Sequence, residues 1–276
     1  MTGLWLFGLA LLGADSSVAL DNGTVRVVVE PRLFAITFVG FSDKASFVSP
    51  LNVSTALREG NGVADAGGLV TDLIPYDPKD AAVRRGPAEI VEQRDDYIAM
   101  LGPPSEISGA RMKKEIQLDA DAPRAHFRVT VQRVAAEAGS FAIRNTIRLP
   151  EKSTVRLERT DGEVRVLAGS DVPYTGVVKS RRYWLIPIPP TKELRGVILG
   201  ADATRMIVAN DSGTWTRKIV EPPADKSKVP NASPFLCLLD SRTGSYGAAL
   251  QGATMEIKSG EFTTFEEEWT FEKRGR

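Results

Sequence analysis

The sequence predicts an all-β protein built as an antiparallel β-sandwich, and three observations carry that reading. After residue 20 helical periodicity is weak almost throughout, while β-branched and aromatic runs recur at short intervals with Gly, Pro, Asn or Asp between them. Segment 110–149 alternates polar and apolar residues through three successive runs, the period of a half-buried strand. The 276 residues are 42% hydrophobic and 25% charged, enough apolar material to fill a core between two sheets.

Taken in order, "TVRVVVE" (24–30) and "RLFAITFVGF" (32–41) form an opening pair of strands punctuated by Pro31. "AEIVEQRDDYIAML" reads as two short strands around a polar turn. "ARMKKEIQL", "RAHFRVTVQRV" and "SFAIRNTIRL" form a meander joined by the turn-forming "DADAP" and "AAEAG". Further strands are expected in "TVRLERT", "EVRVLAG", "YWLIPI", "GVILGA", "RMIVA", "TWTRKIV", "FLCLLD", "YGAALQGATMEI" and "FTTFEEEWTF". The Pro-rich 221–234 is an exposed excursion with strand signals on both sides, and no internal repeat is visible. Residues 20–276 are therefore expected to form a single sandwich domain.

Residues 1–19 contain an apolar run from Leu4 to Leu12, too short to span a bilayer and matching the core of a secretory signal. Ser17-Val18-Ala19 offers one cleavage site and Gly13-Ala14 a second. The expectation is export, to the periplasm or outside the cell, with no integral membrane span once the signal is removed. Thirty-five basic residues balance thirty-five acidic ones and the arginines form no run, which argues against a nucleic-acid partner. Cys237, the only cysteine, excludes an intrachain disulfide and lies in an apolar strand. No His or Cys pair has metal-ligand spacing, Asp95-Asp96 and Glu266 to Glu268 read as solvated charges, and nothing calls for a metal or a cofactor.

Four segments resemble the galactose-mutarotase-like superfamily, the supersandwich of aldose 1-epimerases, nearest to its uncharacterised branches. "LDNGTVRVVVEPRLFAITFVGF" resembles its opening strands and "DAGGLVTDLIPYDP" its Gly-Gly loop with a following aromatic and proline. "ISGARMKKEIQLDADAPRAHFRVTVQRV" resembles its central meander, and "SGEFTTFEEEWTF" its closing Trp-bearing strand. The resemblance implies that fold and a sugar-related ligand on the concave sheet. The family's epimerases use two histidines and a carboxylate. This chain has one histidine, and "YGAALQG", where the resemblance would place the carboxylate, has none. Ordinary mutarotase chemistry is not expected.

Within the meander, alternation puts Arg111, Lys113, Glu115 and Gln117 on one side of the first run, and His126, Arg128, Thr130 and Gln132 on one side of the second. Arg144, Thr146 and Arg148 share a side of the third. If the three strands are neighbours, this surface could bind a polyol or an acidic sugar through arginine forks; otherwise it is the solvated outer face of a sandwich. His126 is a candidate ligand residue with no assignable partner. Tyr183, Trp184, Trp215 and Tyr76 lie near loops, where rings pack on sugars, with core or rim packing as the alternative. Arg217 would add charge beside Trp215. No catalytic residue is assigned. Carbohydrate recognition leads, with a structural or interaction domain of the cell envelope, or an atypical sugar epimerase or lyase, as alternatives.

Overall fold

The computed structural model describes residues 17–50, 68–75, 77, 79–80, 86–159, 162–168, 176–190, 196–241 and 243–274. Within them the chain forms two ten-stranded antiparallel sheets and only short 3-10 turns. No helix among the described residues is long and apolar enough to cross a membrane. The leading residues 1–16 and Tyr76 lie outside this set.

The first sheet runs β1 (Val18–Asp21), β2 (Val25–Glu30), β3 (Ala35–Phe41), β4 (Leu69–Ile74), β9 (Gly139–Arg148), β18 (Ser245–Gln251), β17 (Phe235–Asp240), β14 (Val197–Ala201) and β11 (Arg165–Ala168), with β19 (Met255–Ile257) added to β9. The second runs β12 (Val178–Lys179), β13 (Tyr183–Ile188), β10 (Ser153–Glu158), β15 (Arg205–Asn210), β16 (Gly213–Ile219), β20 (Phe262–Lys273), β8 (Arg124–Arg133), β7 (Ala110–Leu118), β6 (Tyr97–Leu101) and β5 (Glu89–Gln93).

Period-two patterning drives this arrangement, because each strand sends alternate side chains to the interior. In β7 every second residue from Ala110 to Leu118 is buried, and in β8 Ala125, Phe127, Val129 and Val131 are fully buried. The inner faces of both sheets merge into one hydrophobic cluster. Trp215 and Trp269 stand at its centre with ring centroids 5.1 Å apart in an edge-on arrangement, and Phe127, Phe271 and Phe47 surround them.

The opening turn is chemically specified. Asn22 Oδ1 accepts from the amides of Thr24 and Val25 at 3.0 and 2.7 Å, and Gly23 takes a φ of +81° that a side chain would resist. Strand β1 then lies against β2, with Val18 opposite Val29.

One expectation is corrected. The three strands of the meander do not share a surface. β7 and β8 pair along their whole length, but β9 crosses to the first sheet, where it lies between β4 and β18. The charged pattern on β7 and β8 and the arginines of β9 therefore face opposite sides of the molecule.

Candidate functional site

The outer face of the first sheet carries a pocket of about 270 Å³ where β4, β9, β18, β17 and β14 lie side by side. Its polar side comes from Asp72 on β4 and from Arg144, Thr146 and Arg148 on β9; its apolar side comes from Val70, Ile198, Leu236 and Leu238. Gly247 and Ala249, outward on β18, are small enough to leave the floor open. The alternation that directs Arg144, Thr146 and Arg148 outward sends Ile143, Asn145 and Ile147 into the core.

The polar groups are held at short range. Arg144 Nη2 lies 3.5 Å from Asp72 Oδ2, and Arg148 Nη1 donates to Ser245 Oγ. Arg144 Nε is shielded from solvent and has no hydrogen-bond acceptor among the described residues. The Arg144 side chain as a whole is accessible, 26% exposed and lining the pocket, so its guanidinium can meet a ligand oxygen there. Asp72 is itself 2% exposed, so the Asp72–Arg144 interaction sits in a low-dielectric setting. Among the described residues lining the pocket, Asp72 is the one carboxylate and none is a histidine.

The other sequence-derived candidates are dispersed. His126 and Arg128 lie on the outer face of the second sheet, amid paired charges. His126 Nε2 is 3.9 Å from Asp119 Oδ1, and Arg128 is bonded to Glu266, which raises its pKa. On the same face Tyr97 donates to Glu115 at 2.6 Å, while Lys113 approaches that carboxylate at 2.9 Å. Burial, followed by the Glu115 charge, pushes the Tyr97 phenol above its ordinary value. Burial would raise Glu115 too, but the Tyr97 and Lys113 hydrogen bonds and charge outweigh it and hold the carboxyl below the usual range.

Tyr183 and Trp184 lie on β13, toward the far edge of the second sheet. Trp184 Nε1 donates to the Gly162 carbonyl at 2.9 Å, and Lys179 and Arg159 stand 5.2 and 5.8 Å from its ring. Arg182 sits 5.3 Å from the Tyr183 ring.

Trp215 and Arg217 are both inside the sandwich, fully buried. Arg217 forms a fork with Glu267, at 2.6 and 2.7 Å, and also donates to the Asn145 carbonyl at 3.1 Å. Asn145 Nδ2 and Trp269 Nε1 each donate to Glu267 at 2.9 Å, and Thr71 donates to Asn145 Oδ1 at 2.9 Å. Glu267 is therefore an interior anion and not a solvated charge. It lies on the same side of β20 as Phe265, Trp269 and Phe271, and the guanidinium of Arg217 on the paired strand compensates it. This network joins the two sheets directly beneath the pocket, since Thr71 and Asn145 are the sequence neighbours of Asp72 and Arg144. Cys237 is likewise interior, its thiol pushed up to about 12 by burial.

The sequence reading missed Asp72. The signal was present, because in "LVTDLI" Val70 and Asp72 fall on one side and Leu69, Thr71 and Leu73 on the other. Gly247 and Ala249, the open floor, were read only as a strand lacking a carboxylate.

Neither a protein-family model nor a curated protein sequence matches the chain. Solved structures do match in fold. The GalM/aldose epimerase homologue from C. elegans superposes with a TM-score of 0.62 at 9% identity, covering 94% of this chain and 100% of that one. A galactose mutarotase related enzyme from Lactobacillus acidophilus gives 0.61 at 10% identity, over 94% and 98%. A galactose mutarotase-like protein from Lactobacillus casei gives 0.60 at 8% identity, over 93% and 100%. The architecture is that of the galactose-mutarotase-like sandwich, as the four sequence segments implied. At these identities the likeness is one of fold.

Proposed function

We propose that this protein is an exported β-sandwich that recognises a carbohydrate or sugar-derived ligand in the pocket on the outer face of the first sheet. The observation that carries the reading is the pairing, in one cleft, of the partly exposed Arg144 guanidinium with an apolar wall of Ile198, Leu236 and Leu238. A pyranose needs both, because its hydroxyls demand charged or polar partners while its C–H face needs apolar contact. The fold, shared with proteins described as mutarotase-like, adds support. Among the described residues the pocket lining holds one carboxylate, Asp72, and no histidine, so the histidines and carboxylate of the family's epimerases have no direct counterpart there. Recognition is what is proposed, and no catalytic step is assigned.

Isothermal titration with galactose, glucose and galacturonate tests it. At least one sugar is expected to bind saturably, and Arg144→Ala or Ala249→Leu should weaken that binding by about tenfold or more. Absence of binding by every sugar in a broad glycan array would overturn the reading.

Export is part of the proposal, supported by the apolar run Leu4 to Leu12. Cleavage after Ala19 would remove Val18 and Ala19 from the four-residue strand β1, whereas cleavage after Ala14 would leave it whole. N-terminal sequencing of the exported protein is expected to begin at Asp15. A start at Leu20 would contradict the strand-preserving site.

A further inference from the structure

A second cavity, of about 350 Å³, lies on the outer face of the other sheet, where β10, β15, β16 and the end of β20 run side by side. Several other cations on this face meet acids. Arg182 and Arg205 both contact Glu158, at 3.0 and 3.2 Å, and Arg128 is bonded to Glu266. Arg156 breaks the pattern. Its cross-strand row continues through Ile207, Thr216 and Thr270 and contains no carboxylate. Arg156 Nε is shielded from solvent and has no hydrogen-bond acceptor among the described residues. Lys152, in the turn before β10, has no ionic partner among the described residues and lines the same cavity. Thr154 and Thr214 add hydroxyls from neighbouring strands.

We propose that this cavity binds a compact oxyanion, the phosphate or sulfate group of an ester. The Arg156 guanidinium lines the cavity with no carboxylate in its row, and an oxyanion offers several acceptors in the geometry an arginine fork matches. Lys152 supplies a mobile point charge, and the threonine hydroxyls can donate to the remaining oxygens. The two other cations lining the cavity are held in exposed pairs, Lys273 with Asp43 at 3.1 Å and Arg274 with Asp211 at 3.5 Å. Such pairs are weak enough to redirect toward an incoming anion. Asp211 and Glu272, both exposed, are the opposing charges in the lining and disfavour an anion beside them, which leaves the Arg156 and Lys152 side. The cavity exceeds the size of the oxyanion alone and leaves space for the group that carries it.

Titration of the full chain with inorganic phosphate and, separately, inorganic sulfate tests the site, by calorimetry and, for phosphate, by 31P line broadening. At least one anion is expected to bind saturably, with affinity falling as sodium chloride is added. Arg156→Gln and Lys152→Gln should each weaken it by about tenfold. Lys152→Gln is an exposed turn substitution and keeps the test intact should Arg156→Gln fail to fold. Preference for one anion names the ester. Three results would overturn the site: no saturable binding of either anion, wild-type affinity in both variants, or loss of binding in Arg144→Gln alone, which would move the anion to the first sheet.

Discussion

Arg217 and Glu267 are each fully shielded from water, and their stability depends on one another. Removing one partner leaves an uncompensated interior charge, so Arg217→Ala or Glu267→Ala is expected to lower the unfolding free energy by about 3–5 kcal/mol. Replacing both, as Arg217→Met with Glu267→Leu, should recover most of that loss. Denaturant midpoints of the two single variants and the double variant measure the difference. Glu30 gives a separate, pH-dependent outcome. The hydrogen bond from Arg32 holds its carboxyl below the ordinary value of 4.5 despite burial. A depressed folded-state pKa adds stability that is complete above the unfolded value and lost as pH falls through the folded one. Thermal midpoints should therefore drop below about pH 4.5, and Glu30→Gln should flatten part of that drop. An unchanged acid limb in Glu30→Gln would remove this residue from the account.

At the scale of elements, Gly68 fixes how β4 enters its sheet. Its φ is +74°, and an added Cβ would lie 2.4 Å from the Ile36 carbonyl oxygen. Its own amide donates to the Ser49 carbonyl, and its carbonyl accepts from Arg148, each at 2.9 Å. Gly68→Ala is expected to cost about 1–3 kcal/mol and to weaken ligand binding, because the same hinge sets Asp72 against Arg144. A variant as stable as the parent in urea would show that the backbone can yield there. The strands themselves were legible in the sequence, because alternation survives in β7, β8, β9 and β20. Which sheet each strand joins was not, since period two records the two sides of a strand and nothing about its neighbours. Arg144 and Arg148 share one side of β9, as alternation implied, but were grouped with strands that belong to the other sheet. Arg217 could have been placed inside. It alternates with Trp215 and Ile219, and Glu267 alternates with three core aromatics on the strand beside it.

At the scale of the whole molecule, the aromatic centre joins the two sheets. Trp215 and Trp269 are wholly buried between them and also contact the polar network. Their fluorescence should be blue-shifted in the native protein and should move to longer wavelength in step with the loss of the far-ultraviolet strand signal. A tryptophan transition that precedes the loss of strand would show that the sheets part before they melt. The same sandwich constrains how the chain can be made. β20, from residues 262–273, lies between β16 and β8, and β18 lies between β9 and β17, so segments made late occupy the middle of both sheets. Without these two strands each sheet would be two halves with unpaired edges. Pairings such as Gln251 with Arg144 and Phe262 with Gln132 close loops of more than a hundred residues, so the rate at which this sandwich assembles is set by its most distant partners.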